Sequence, residues 1–239
     1  MTRNHPNRSG AHWAAAALAG AFLATLAVSS GQAAEPSKDV VKWSPSSWQK
    51  TMREMPTGDA ARGEELHDQE FCASCHGEHG ESLTENWPHL AGQRAEYTYK
   101  QLVDYAEHRR REDNRAHIMN TISEGLSEQE MADLAAFYEA QGLPDKAKPA
   151  ESHSAHELIT VGDPSRLITP CAACHGSNGS GGINESPTLR GQPEAYFVRT
   201  MELFRDGKRH NDVAQGMSQF AEPLTDEEIA ALADYYAVD

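Results

Sequence analysis

Cysteine is scarce in this chain, at four in 239 residues, too few for a framework of disulfides to replace a hydrophobic core. Basic charge is also short, with 21 Lys and Arg against 36 Asp and Glu. A strongly acidic surface disfavours nucleic acid and anionic lipid, whose phosphates repel it, and favours a partner with a basic face. No segment alternates polar and apolar residues convincingly enough to read as a half-buried strand, which leaves an all-α fold. Beyond the first thirty residues there is no long apolar run, so nothing later is expected to cross a membrane.

The exception is the start. Arg3 and Arg8 precede an Ala-rich apolar stretch from Ala11 to Val28, and Gly31, Ala33 and Ala34 stand ahead of the first acid, Glu35. This order describes a secretory signal peptide over residues 1–34, the other possibility being a retained anchor. Its removal leaves 19 basic and 36 acidic side chains, a balance of −17, on an exported, periplasmic protein with no stable membrane insertion. Solubility alone is a second explanation for such acidity.

The four cysteines form two pairs in one pattern, Cys72-Ala73-Ser74-Cys75-His76-Gly77 and Cys171-Ala172-Ala173-Cys174-His175-Gly176, 99 residues apart. Twelve residues past each histidine comes a proline, opening Pro88-His89-Leu90-Ala91-Gly92-Gln93 and Pro187-Thr188-Leu189-Arg190-Gly191-Gln192. Ser127-Glu128-Gln129-Glu130 answers Thr225-Asp226-Glu227-Glu228 at an offset of 98. Three landmarks in one order mean a duplicated unit of about 90 residues. Each copy therefore serves as a control for the other.

Ser127 and Thr225 read as helix N-caps, with Glu130 and Glu228 completing capping boxes. The helices they open carry Met131, Leu134, Ala135 and Tyr138, and Ile229, Leu232, Ala233 and Tyr236, each set a single buried stripe. A second helix is predicted through Tyr99, Leu102, Val103 and Ala106, matched by Phe197, Met201 and Phe204. A third begins near Asp59, with a shorter counterpart capped by Asp163 and opened by Pro164. The expected layout is an N-terminal extension over 35–57, domains over 58–141 and 157–239, and a Pro- and Lys-containing linker over 142–156. The extension holds Trp43, Trp48, Met52 and Met55 and has no counterpart in the second copy. It is expected to lie on the first domain, or else to dock a partner.

Two thiols three residues apart share one helix face, so Cys72 with Cys75, and Cys171 with Cys174, can each bond the two vinyl groups of a haem edge. His76 and His175 then turn their imidazoles onto the iron. A zinc site would bring its cysteine pairs within roughly 20 residues, whereas 95 separate Cys75 from Cys171. A thioredoxin-like pair lacks its βαβ context, and plain disulfides leave the repeated histidine unexplained. Two covalently bound haem c groups are therefore expected. For the sixth ligand, Met119 and Met217 sit at equivalent points, seven residues before Leu126 and Leu224. Thioether sulfur is a common axial ligand there. Met131 corresponds to Ile229 and is core; His117 rivals Met119, but its counterpart is Gln215. The other histidines, His79, His89, His108, His153, His156 and His210 among them, are not repeated and are expected on the surface.

With these motifs in hand, residues 58–239 resemble the dihaem class I c-type cytochromes of the cytochrome c4 group. The resemblance implies two tandem helical haem domains. It further implies that Pro88 and Pro187 offer backbone carbonyls to the second ring nitrogens of His76 and His175, and that Tyr97 and Tyr196 are haem-pocket aromatics, ordinary core packing being the alternative for either tyrosine. The activity expected is electron carriage between respiratory-chain redox partners through two His/Met-ligated haems, with no catalysis. The alternative is the electron-accepting subunit of a periplasmic dehydrogenase, for instance one oxidising a sulfur compound. A haem enzyme such as a peroxidase would need a vacant axial position, which the two methionines argue against.

Overall fold

A computed structural model describes residues 42–142, 153–182 and 186–238, and the proposed signal peptide and most of the proposed linker lie outside them. Eleven α-helices follow one another among these residues. In the first half they are α1 (Pro45–Glu54), α2 (Ala60–Gln69), α3 (Ala73–His76), α4 (Ala95–Ala106), α5 (Asn114–Ser123) and α6 (Glu128–Glu139). The second half contributes α7 (His156–Thr160), α8 (Ala172–His175), α9 (Glu194–Arg205), α10 (Ser218–Ala221) and α11 (Asp226–Tyr236). No strand occurs among the described residues, only two isolated bridges, Asp163 with Ile168 and Pro193 with Val238. None of the described helices is long and apolar enough to cross a membrane.

The helix starts follow local chemistry. Ser127 and Thr225 both complete capping boxes, their hydroxyls taking the N–H of Glu130 and Glu228 while those carboxylates reach back. Asp59 caps α2, and in the second half Asp163 caps only a 3₁₀ turn, Pro164–Arg166, with proline at its first position. The repeat thus holds for α3 and α8, α4 and α9, α6 and α11. It loosens where α5, a full ten residues, is answered by a 3₁₀ turn at Val213–Gln215 and the short α10.

Two cores result. Tyr99, Leu102, Met131, Leu134, Ala135, Phe137 and Tyr138 bury one another in the first half, and Phe197, Met201, Phe204, Ile229, Leu232 and Tyr236 in the second. In the first, α2 lies close against α6. A Cβ on Gly63 would stand 2.1 Å from the Asp133 carbonyl oxygen, so only glycine allows this approach. The fully buried Asp133 carboxylate fixes the same contact, accepting from the backbone N–H of Asp59 at 2.8 Å and from Gln129 at 2.8 Å.

The described part of the extension does lie on the first core, through Met52 and Met55. It also runs beside the Val213–Gln215 turn of the second half. Trp43 and Trp48 are 7% and 6% exposed, stacked edge to face with centroids 5.4 Å apart, and so are not presented to a partner.

Gly63→Ala should destabilise the protein by about 1–3 kcal/mol, because the added methyl meets backbone rather than a movable side chain. Urea unfolding followed by circular dichroism measures it; an unchanged midpoint would mean α2 and α6 are free to separate.

Candidate haem sites

Each Cys-x-x-Cys-His run forms a four-residue helix that Gly77 or Gly176 ends at positive φ, 77° and 79°. That turn sends the chain around to the proline segment. His76 and His175 are buried, and their Nδ1 atoms lie 3.1 Å from the Pro88 carbonyl and 3.0 Å from the Pro187 carbonyl. A carbonyl only accepts, so Nδ1 carries the proton and Nε2 is left as the electron-pair donor. Burial lowers both imidazole pKa values, that of His76 to about 4, against the smaller raising effect of the carbonyl bond. Both rings are therefore neutral, the form that ligates metal.

The four thiols are unpaired and half-buried. Burial pushes Cys72 up and Cys171 up to about 11. A continuous cavity of about 830 Å³ is lined by all four cysteines, both histidines, Met119 and Met217. Its remaining walls are largely apolar, Leu102 and Leu134 in one half, Phe197 and Leu232 in the other. These residues fit a large flat apolar group tethered at two sulfurs and bound through one imidazole nitrogen in each half. Met119 projects from α5 and Met217 stands at the start of α10, where the Asp212 carboxylate accepts its backbone N–H at 2.8 Å. His117, two residues before Met119, is exposed and lies off the cavity lining.

Tyr97 and Tyr196 also line the cavity. The Tyr97 hydroxyl accepts from Arg209 at 3.2 Å. Burial would raise the Tyr196 phenol, but the guanidinium groups of Arg110 and Arg209 outweigh it and hold the pKa below its usual value.

Two features were not anticipated. The glutamines that end the proline segments cross between the halves. Gln93 donates to the Thr188 carbonyl at 3.0 Å and accepts the Thr188 N–H at 2.9 Å; Gln192 does the same to His89, at 2.8 and 3.1 Å. The repeat marked these glutamines but not their partners. The histidines expected on the surface also divide. His79 and His108 are exposed, His153, His156 and His210 are half-buried, and His89 is buried, because its backbone is clamped by Gln192. His67 is completely buried, with Nδ1 2.8 Å from the Tyr138 hydroxyl, which also bonds the Cys72 sulfur.

This is the arrangement of a c-type cytochrome with two haem sites. The cytochrome c family model matches residues 60–140 and 165–236, and the chain belongs to that family. It is a dihaem, cytochrome c4-like member. Cytochrome c4 of Thiocapsa roseopersicina is 38% identical over 167 residues, covering 69% of this chain and 84% of the relative. The thiosulfate dehydrogenase electron acceptor of Stutzerimonas stutzeri is 36% identical over 171 residues, 70% of this chain and 77% of that one. The structure of reduced recombinant cytochrome c4 from Pseudomonas stutzeri matches with a TM-score of 0.66 and 31% identity, covering 75% of this chain and 98% of its own. The chain accordingly carries two covalently bound haem c groups, Cys72 and Cys75 and Cys171 and Cys174 forming its two Cys-x-x-Cys-His sites, and it is an electron-transfer protein rather than an enzyme.

Burial lowers the His67 pKa below 6.5, so the folded protein holds this ring neutral while the unfolded chain protonates it near pH 6.5. The unfolded state then binds more protons, and stability should fall as pH drops from 6.5 toward the folded pKa, by at most about 1.4 kcal/mol per pH unit for this group. His67→Gln should reduce that slope, leaving the part due to the other buried imidazoles, His76, His89 and His175, whose pKa values burial also lowers. Urea midpoints at pH 7.5 and 5 decide; equal slopes in both proteins would mean His67 stays neutral in neither state or both.

Proposed function

We propose that this chain is an exported periplasmic shuttle carrying single electrons between respiratory-chain partners through two His/Met-ligated haems. In this reading residues 1–34 are the signal peptide, 35–57 an extension, 58–141 and 157–239 the haem domains, and 142–156 the linker. His76 and His175 supply Nε2 to the irons, while Pro88 and Pro187 hold their ring tautomer and orientation. Met119 and Met217 supply the opposite thioethers. The observation that carries this is the single cavity onto which His76, His175, Met119 and Met217 all face, with His117 outside it. When bound, each haem supplies the one-electron ferrous–ferric couple. The chain's part is to fill both axial positions, so that no vacant site invites oxygen chemistry, and to exclude water with Leu102, Leu134, Phe197 and Leu232.

Phe71, 78% exposed beside Cys72, and Ile118, 48% exposed beside Met119, give the first site an apolar rim where a partner can approach. A basic docking face on that partner is favoured by the −17 balance. The second reading, the electron-accepting subunit of a periplasmic dehydrogenase, is supported by the likeness to the Stutzerimonas thiosulfate dehydrogenase electron acceptor. In both readings catalysis belongs to another chain.

Met119→Leu and Met217→Leu should each remove part of the long-wavelength iron–thioether absorption of the oxidised protein and lower one of the two reduction potentials, because thioether ligation favours ferrous iron. A silent Met119→Leu together with an active His117→Ala would transfer the first ligand role to His117. Separately, electron transfer to the physiological acceptor should slow as salt rises and the screening length shrinks to about 8 Å at physiological ionic strength. Stopped-flow rates across a salt series test this at acceptor concentrations where association limits the rate. A flat or rising profile would assign recognition to the apolar rim alone.

A further inference from the structure

We propose that residues 42–54 are a clasp across the two haem domains, pinned by Asp104, and that Trp43 and Asp104 are positioning residues for electron exchange between the haems. The inference holds whichever atoms close the sixth positions of the irons.

It begins with a break in the repeat. Helices α4 and α9 correspond at an offset of 99, which sets Lys100 against Arg199 and Asp104 against Leu203. Where the second copy has leucine, the first has a fully buried carboxylate beside a buried ammonium. Desolvating an ion pair is costly unless its remaining hydrogen-bonding positions are filled. Here they are filled from three separate segments. The Trp43 indole N–H donates to Asp104 Oδ1 at 2.5 Å, from the extension. Lys100 donates to Asp104 Oδ2 from its own helix. From the second half, Asn211 Nδ2 donates to Oδ2 at 2.5 Å, and its backbone carbonyl accepts from Lys100 at 2.7 Å. The carboxylate is thus satisfied only when extension, first domain and second domain are together.

Cation–aromatic contacts reinforce the outer end. The Lys100 ammonium lies 5.8 Å from the ring centres of both Trp43 and Trp48, and the Arg109 guanidinium lies 3.9 Å over Trp43. The inner end reaches the haem cavity. Asn211 and Arg209 both donate to Gln101 Oε1 at 3.2 Å, and Arg209 also donates to Tyr97; Gln101, Arg209 and Tyr97 line the cavity. A segment that merely covered the first core would neither share the Asp104 carboxylate with Asn211 nor run beside the Val213–Gln215 turn of the second half. Since electron exchange between two centres depends steeply on their separation and orientation, a tie that fixes the domain contact acts on that exchange.

The test uses the full-length protein with both haems. Trp43→Phe keeps the ring and removes only the donor; Asn211→Ala removes the other domain's side chain. Losing a hydrogen bond to a buried charge should lower the docked-to-undocked ratio about tenfold or more. That loss is read as faster hydrogen exchange at the amides of residues 211–218 and as slower intramolecular electron exchange after partial reduction. The double variant should resemble either single one, because both act through Asp104. The proposal is overturned if Trp43→Phe weakens only the first half, leaving exchange at 211–218 and the inter-haem rate at wild-type values. It is equally overturned if the effects of the two substitutions add in full.

Discussion

An imidazole must be neutral and correctly turned before a metal can use it, and both halves of this protein hold one histidine in that state in the same way. The Pro88 and Pro187 carbonyls each accept a hydrogen bond from the Nδ1–H of a buried histidine, which fixes the tautomer and leaves Nε2 as the electron-pair donor on a ring that lines the cavity. Burial alone would also neutralise the ring, but it would not choose a nitrogen. Much of the fold serves this contact. The four-residue helix and its glycine turn carry the chain away from the histidine, and the intervening loop brings it back twelve residues later at the proline. The glutamine at the end of each proline segment then fastens that segment to the other half. Positioning of the histidine and joining of the domains are therefore done by the same six-residue segment.

What could be read from the sequence was what local chemistry determines. The capping boxes at Ser127 and Thr225, the Asp59 and Asp163 caps and the apolar stripe of α6 all depend on residues within a few positions of one another. Duplication sharpened this, separating Met131 from Met119 by comparison alone. The same comparison misled where the copies differ. His67 corresponds to Arg166 and His89 to Thr188, so neither looked functional, yet both are buried. Their burial depends on Tyr138, 71 residues away, and on Gln192, 103 residues away. No periodicity reports a partner at that distance. Asymmetry between the copies goes with solvent exposure at His79 and His108 but with tertiary contact at His67 and His89.

The charge balance gains meaning from the same interior. Among the described residues, Lys100, Arg110 and Arg209 are buried, and so are the side chains of Asp104, Glu112 and Asp133. Three cations thus stand against three anions inside, and the acidic excess is carried almost wholly by the surface that a partner meets. The interior cations are concentrated at the domain contact, where Arg110 and Arg209 face Tyr97, Tyr196 and the cavity. The surface therefore carries the acidic excess, while where the two halves meet Lys100 and Arg110 are paired with Asp104 and Glu112.

Two kinds of tie join the halves, and they differ in symmetry. The glutamine bonds are reciprocal, each copy gripping the residue after the other's proline, as in an isologous contact between identical subunits. The Asp104 network is one-sided, and so is the surrounding of the first cysteine in each motif. Cys72 has a tyrosine hydroxyl held by buried His67, whereas in the second half Arg166 replaces that histidine and pairs at the surface with Asp163 and Glu228. The corresponding Tyr236 hydroxyl is buried with no hydrogen-bond partner among the described residues. Hydrogen bonding and burial around a bound iron are among the levers that set its potential. A near-symmetric scaffold therefore gives its two haem sites unequal surroundings, and unequal surroundings are what give an electron shared between two such sites a preferred resting place.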